Sequence, residues 1–113
     1  MSVVIPVFNA ELYLRDALES VFAQTHPCLE IICVNDGSSD TSAEILRSYG
    51  NRIVFIDDGV NVGIAAARNK GIRIAQGAYI ALMDADDLWA PEKIATQINI
   101  LESDPGISVC FSY

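Results

Sequence analysis

Asp84-Ala85-Asp86-Asp87 places three carboxylates within four residues, directly after an apolar run. Like charges that close repel one another, so folding alone gives no reason for the cluster. A hard divalent cation would relieve the repulsion, because Mg²⁺ and Mn²⁺ prefer oxygen ligands. A solvated acidic turn that caps the following helix would have the same spacing. A second acid, Asp36, closes another apolar run in Val34-Asn35-Asp36-Gly37-Ser38-Ser39-Asp40. It reads equally as a ligand-binding carboxylate or as part of a plain turn, whereas Asp40 reads as a helix cap. Asp57 and Asp58 read as a solvated loop. Gly63-Ile64-Ala65-Ala66-Ala67-Arg68-Asn69-Lys70 opens a helix with small residues. A helix N-terminus attracts phosphate, and Arg68 and Lys70 add positive charge. Taken alone, Arg68 also reads as an ordinary surface arginine.

These groups sit in an acidic chain of 113 residues with a formal net charge of −8. No basic patch suits a nucleic-acid backbone, so DNA and RNA are excluded as partners. An acidic protein that takes an anionic ligand needs a metal or local cations. With 51% hydrophobic residues the chain can fill one core, and its length suits a single domain spanning residues 1–113. No apolar run reaches the ~18 residues of a transmembrane helix. The start, Met1-Ser2-Val3-Val4-Ile5-Pro6, reads as a buried strand and not as a leader. The expected location is cytoplasmic, which includes the inner face of the membrane. Cys28, Cys33 and Cys110 show no metal-ligand spacing; Cys33 and Cys110 fall in apolar runs and read as reduced, buried hydrophobes. His26 reads as a loop residue.

The elements that must carry the acids alternate. Short, continuous, β-branched runs at Val3 to Val7, Glu30 to Asn35, Arg52 to Asp57, Ala78 to Met83 and Ile107 to Ser112 predict five strands. Between them, helices are expected from about Ala10 to Gln24 behind an Asn9 cap, from Thr41 to Tyr49 behind Asp40, from Gly63 to Gln76, and from Pro91 to Ser103. Leu14, Leu18 and Val21 share one face of the first helix; Ile64, Ala67, Gly71 and Ile74 share one face of the third. This order predicts an α/β fold, a mostly parallel sheet with helices on both faces. Ligands of such sheets bind beyond the carboxyl ends of the strands, near the point where strand order reverses. Asp36 and Asp84 to Asp87 fall at those ends.

Four segments in this order resemble the family 2 glycosyltransferases: Val4-Ile5-Pro6-Val7-Phe8-Asn9, Val34-Asn35-Asp36-Gly37-Ser38-Ser39-Asp40, Gly63-Ile64-Ala65-Ala66-Ala67-Arg68-Asn69 and Asp84-Ala85-Asp86-Asp87. Ser20-Val21-Phe22-Ala23-Gln24-Thr25 and Gly77-Ala78-Tyr79-Ile80 add to the likeness, which covers nearly the whole chain. The resemblance implies a truncated glycosyltransferase-A (Rossmann-like) fold that binds a nucleotide sugar, usually a UDP-sugar. It implies transfer of the sugar to an acceptor hydroxyl, with inversion, on a glycan or glycolipid. Pro6, Val7 and Asn9 would frame the base, Asp36 would accept a hydrogen bond from it, and Arg68 would lie near the base or the diphosphate. Asp84 would bind the ribose, and Asp86 would coordinate Mn²⁺ or Mg²⁺. Asn35 departs from the family, where many members carry a second Asp.

The family's general base lies downstream of the acidic motif, so no residue up to Tyr113 is assigned to it. The family sheet also places a later antiparallel strand between strands four and five; without it a gap or an unpaired edge is expected, covered by self-association or by a rearranged strand five. A nucleotide-sugar-binding module without transfer is the competing reading. A receiver domain would need acids after strand one and a Lys after strand five. A dinucleotide-binding oxidoreductase would need a Gly-rich turn after strand one, and a nucleotidyltransferase a Gly-rich basic loop. Pro6-Val7-Phe8-Asn9 supplies neither the acids nor a Gly-rich loop, and nothing basic follows the fifth strand.

Overall fold

β1 (Ser2–Val7) is buried along its whole length, as a strand must be when it has a neighbour on each side and a helix layer on each face. The computed structural model describes residues 1–28 and 30–110. β1 pairs in parallel with β2 (Glu30–Asn35) on one side and β4 (Ile80–Leu82) on the other. β3 (Val54–Asp57) pairs with β2, giving the order β3-β2-β1-β4. The two-residue period of a strand then divides the core. Val3, Ile5 and Val7 join the cluster that holds Leu14, Leu18 and Val21 of α1 (Leu14–Phe22), Ile45 and Leu46 of α2 (Ser42–Ser48), and Ile94 and Ile98 of α4 (Lys93–Ser103). Val4, Ile32 and Val34 pack with Ala67 of α3 (Ile64–Ile74) on the opposite face. The expected α/β architecture with helices on both faces is present.

Several boundaries differ from the sequence reading. The first helix begins at Leu14, not near Ala10, and Asn9 does not cap it. Asn9 has φ 47°, and the backbone N–H groups of Ala10 and Glu11 donate to Ser42 Oγ and Asp40 Oδ2 in the next loop. Those donors are thus satisfied across the sheet end and not by a local cap. The fourth helix starts at Lys93, with Gln24 Oε1 accepting the Ile94 N–H. On α3 only Ala67 and Gly71 are buried; Ile64 and Ile74 are half-exposed. The helix lies so close to the sheet that a Cβ on Gly71 would come within 2.5 Å of Val4 Cγ1. Small residues, and not the isoleucines, make that contact.

The fifth strand, expected over Ile107 to Ser112, is not formed where it is described. Residues 107–110 follow the Pro105-Gly106 turn without strand pairing; 111–113 lie outside the described residues. β4, only three residues long, pairs with β1 alone among the described residues. All three cysteines are free. Cys33 is buried, and desolvation pushes its thiol up to about 12, so it is an inert core residue. Cys110 is partly exposed, against expectation.

Candidate functional site: the carboxyl ends of β1, β2 and β4

The chain runs outward from β1 to β2 to β3, then returns to place β4 on the other side of β1. That reversal opens a crevice at the carboxyl ends of β1 and β4. Parallel register brings Val7 beside Asn35 and Asn35 beside Asp57. The loops that leave these residues are therefore neighbours.

On the β1–β2 side, the loops are stapled by side chains. The Asp36 N–H donates to Val7 O at 2.7 Å, continuing the ladder past the strands. The Asn9 N–H donates to Ser38 Oγ at 3.0 Å, and Asn9 Oδ1 accepts the Ser39 N–H at 2.8 Å. Asn tolerates the left-handed conformation found here, which turns its amide toward the β2 loop. Glu11 Oε2 accepts both the N–H and the hydroxyl of Thr41. Asp40 Oδ1 accepts the N–H of Ser42, the first residue of α2, although Thr41 and not Asp40 stands at the cap position. Burial alone would raise the Asp40 pKa; hydrogen bonds from Ser42 and from the Glu11 N–H outweigh it and hold the carboxyl below its ordinary 3.8.

Asp36 is 2% exposed. Its Oδ1 accepts the Val62 N–H at 2.7 Å and its Oδ2 the Gly63 N–H at 3.1 Å. These amides lead directly into α3, so the phosphate-attracting end expected there already faces a carboxylate from β2. Asp57 and Asp58, expected as a solvated loop, are also engaged. Asp57 accepts from Asn35 Nδ2, the Gly59 N–H and Arg47 Nη2, and Asp58 pairs with Lys70.

On the β4 side, Arg68 Nη2 lies 2.7 Å from Asp84 Oδ1. The Arg68 Nε is buried without a hydrogen-bond partner among the described residues. One ligand atom each from Asp84, Asp86 and Asp87 falls within a mutual 4.8 Å, and all three residues are exposed. An all-carboxylate set this close, open to water on its free side, fits a hard cation that keeps part of its hydration shell. Arg68 offsets one of the three charges.

The structure thus gathers Pro6, Val7, Asn9 and Asp36 around one group of loops, and Arg68, Asp84 and Asp86 around another. α3 joins them: its first turn follows the Asp36 contact and its second carries Arg68. The sequence reading missed the Glu11–Thr41, Asn35–Asp57 and Asp36–Val62 contacts. Each spans more than twenty residues and leaves no local pattern; the side-chain-free Gly63 at the helix start was the one available sign that a cap had to come from elsewhere.

Sheet order and strand-end acids together define an α/β domain of the glycosyltransferase-A kind. Solved structures agree: S. aureus TarS in complex with UDP superposes with a TM-score of 0.81 at 26% identity, over 90% of this chain and 32% of its own. The mannosyltransferase PcManGT from Pyrobaculum calidifontis, in complex with GDP-Man and Mn²⁺, gives 0.84 at 26% identity, over 92% and 32%. Residues 2–113 match the glycosyl transferase family 2 model, and the chain belongs to that family. An uncharacterised glycosyltransferase of Rickettsia typhi is 45% identical over 101 residues, covering 89% of this chain and 31% of the relative. The chain spans about a third of the length of such relatives. No described helix is long and apolar enough to cross a membrane.

Proposed function

We propose that this chain is the donor-binding part of a metal-dependent, inverting transferase. It passes a sugar from a nucleotide diphosphate, a UDP-sugar by preference, to an acceptor hydroxyl on a glycan or glycolipid. The observation that carries the reading is the acidic end of β4, where Arg68 meets Asp84 beside Asp86 and Asp87 in a family 2 chain. Similar folds hold UDP in TarS and GDP-Man with Mn²⁺ in PcManGT, which supports a nucleoside diphosphate as the shared ligand.

In this reading Pro6, Val7, Asn9 and Asp36 border the base, and Asp84 binds the ribose. Arg68 supplies positive charge to a ligand that an acidic domain would otherwise repel. Asp86, with Asp87 beside it, would hold Mn²⁺ or Mg²⁺, which supplies charge stabilisation for a departing diphosphate. The acceptor must lose a proton to a base within hydrogen-bond reach, and no residue of this chain is assigned that task. The competing reading is a binding module without transfer; donor turnover above background would reject it.

Calorimetry with UDP, with and without Mn²⁺, tests the proposal. Mn²⁺ should tighten UDP binding, and Asp86→Asn should abolish that gain, a loss of about tenfold or ~1.4 kcal/mol. Undiminished Mn²⁺-dependent affinity in the variant would remove Asp86 from its role.

A further inference from the structure

The segment 58–63 between β3 and α3 carries no secondary structure of its own, yet it closes against the end of β2 at two adjacent points. The first is the Asp36 carboxylate, which accepts the Val62 and Gly63 N–H groups with one oxygen each. The second is Gly37, with φ +71°, where a Cβ would stand 2.7 Å from the Asn61 nitrogen. Gly63, the residue that opens α3, has φ 93° and no side chain with which to cap the helix. A buried anion at that position satisfies two donors and complements the positive end of the helix. The same helix carries Arg68 to Asp84 at the other side of the crevice.

We propose that Asp36 is a positioning residue: its carboxylate fastens the β3–α3 loop to β2, fixes where α3 begins, and through α3 sets Arg68 against the β4 acids. Each oxygen retains a lone pair, so the same carboxylate can also accept a hydrogen bond from the base. The inference rests on the reading above only in taking the crevice as the nucleotide site; the fastening itself is independent of any ligand. Asn in place of Asp36 would turn an NH₂ group toward one of the two amides, donor against donor. Ala in place of Gly37 would push the loop off by contact while leaving the carboxylate intact.

Amide hydrogen exchange by NMR on the unaltered chain is the first arm. Val62 and Gly63 should exchange as slowly as the amides of β2, and rapid exchange at both would overturn the proposal. In the second arm, Asp36→Asn and Gly37→Ala should each speed exchange at Val62 and Gly63. Each should also weaken inorganic pyrophosphate with Mn²⁺ by about tenfold, and UDP with Mn²⁺ by at least as much. A residue that only reads the base gives a different pattern: Asp36→Asn weakens UDP alone, pyrophosphate binding and loop protection are unchanged, and Gly37→Ala is neutral. That outcome overturns the positioning role. If the unaltered chain binds neither UDP nor pyrophosphate, the functional reading fails, and the exchange arm still decides the fastening.

Discussion

Arg68 answers a repulsion that its neighbours create. Asp84, Asp86 and Asp87 bring three negative charges within 4.8 Å, and among the described residues the one cation paired with them is the guanidinium 2.7 Å from Asp84. Both partners are partly exposed, at 35% and 52%, so water screens the pair and its worth to stability is below ~1 kcal/mol. Its value lies in the charge it presents to a ligand. Arg68→Gln should therefore lower the unfolding free energy by less than ~1 kcal/mol, as read from urea unfolding. The same variant should weaken UDP binding by about tenfold in calorimetry. Arg68→Lys should recover only part of the affinity, because an ammonium cannot reproduce the planar fork. A variant that loses stability but keeps its affinity for UDP would make Arg68 a structural residue.

At the scale of elements, α3 is held against the sheet by what it lacks. Gly71 leaves room for Val4 and Val34 to approach the helix backbone. Val4 is β-branched and fully buried in the central strand, so it has no freedom to move aside. Gly71→Ala should cost ~1–3 kcal/mol in urea unfolding, despite the better helix propensity of Ala. A neutral or stabilising result would mean that α3 can shift outward without loss. The loops of α1 and α2 respond instead to protons. Asp40 has a folded pKa below its ordinary 3.8, so its bonds to Ser42 and Glu11 stabilise the fold fully above that value. The contribution is lost as pH falls through the depressed folded pKa. Asp40→Asn should then lower thermal stability at pH 7 by the contribution of the charge and flatten the acid side of the profile below about pH 4, although Asn can still accept the Ser42 N–H.

The whole molecule is lopsided around β1. β3 and β4 are the two edge strands among the described residues; Arg47 pairs with Asp57 at the β3 edge, whereas no described strand pairs with β4 on its outer side. Ile80 is 43% and Leu82 50% exposed, and a groove of ≈ 740 Å³ runs between β4, Ile72, Trp89 and Val109. An apolar strand with unpaired backbone groups is a template for another strand. The 113-residue chain should self-associate through this edge in concentration-dependent light scattering, and Leu82→Lys should return it to a monomer. A monodisperse monomer at all concentrations would show that residues after 106 cover the edge well enough.

The strands β1 and β2 were legible in the sequence as short continuous β-branched runs, and the buried face of α1 by its helical period. Asp84-Ala85-Asp86-Asp87 was legible because neighbours in sequence are neighbours in space. The family likewise followed from residue order, since its motifs are short and local. What lay beyond reach was decided by partners far along the chain. Asn9 looked like a helix cap until Ser38 and Ser39 claimed it, and Ile64 and Ile74 looked like core until Gly71 set the distance. The run after Gly106 had the composition of a strand, yet residues 107–110 pair with none. Sequence fixes the short-range preferences of each segment; only the tertiary structure decides which donors, acceptors and apolar faces meet. Hydrogen bonds such as Asp36 to Val62 depend on that meeting and on nothing within either segment.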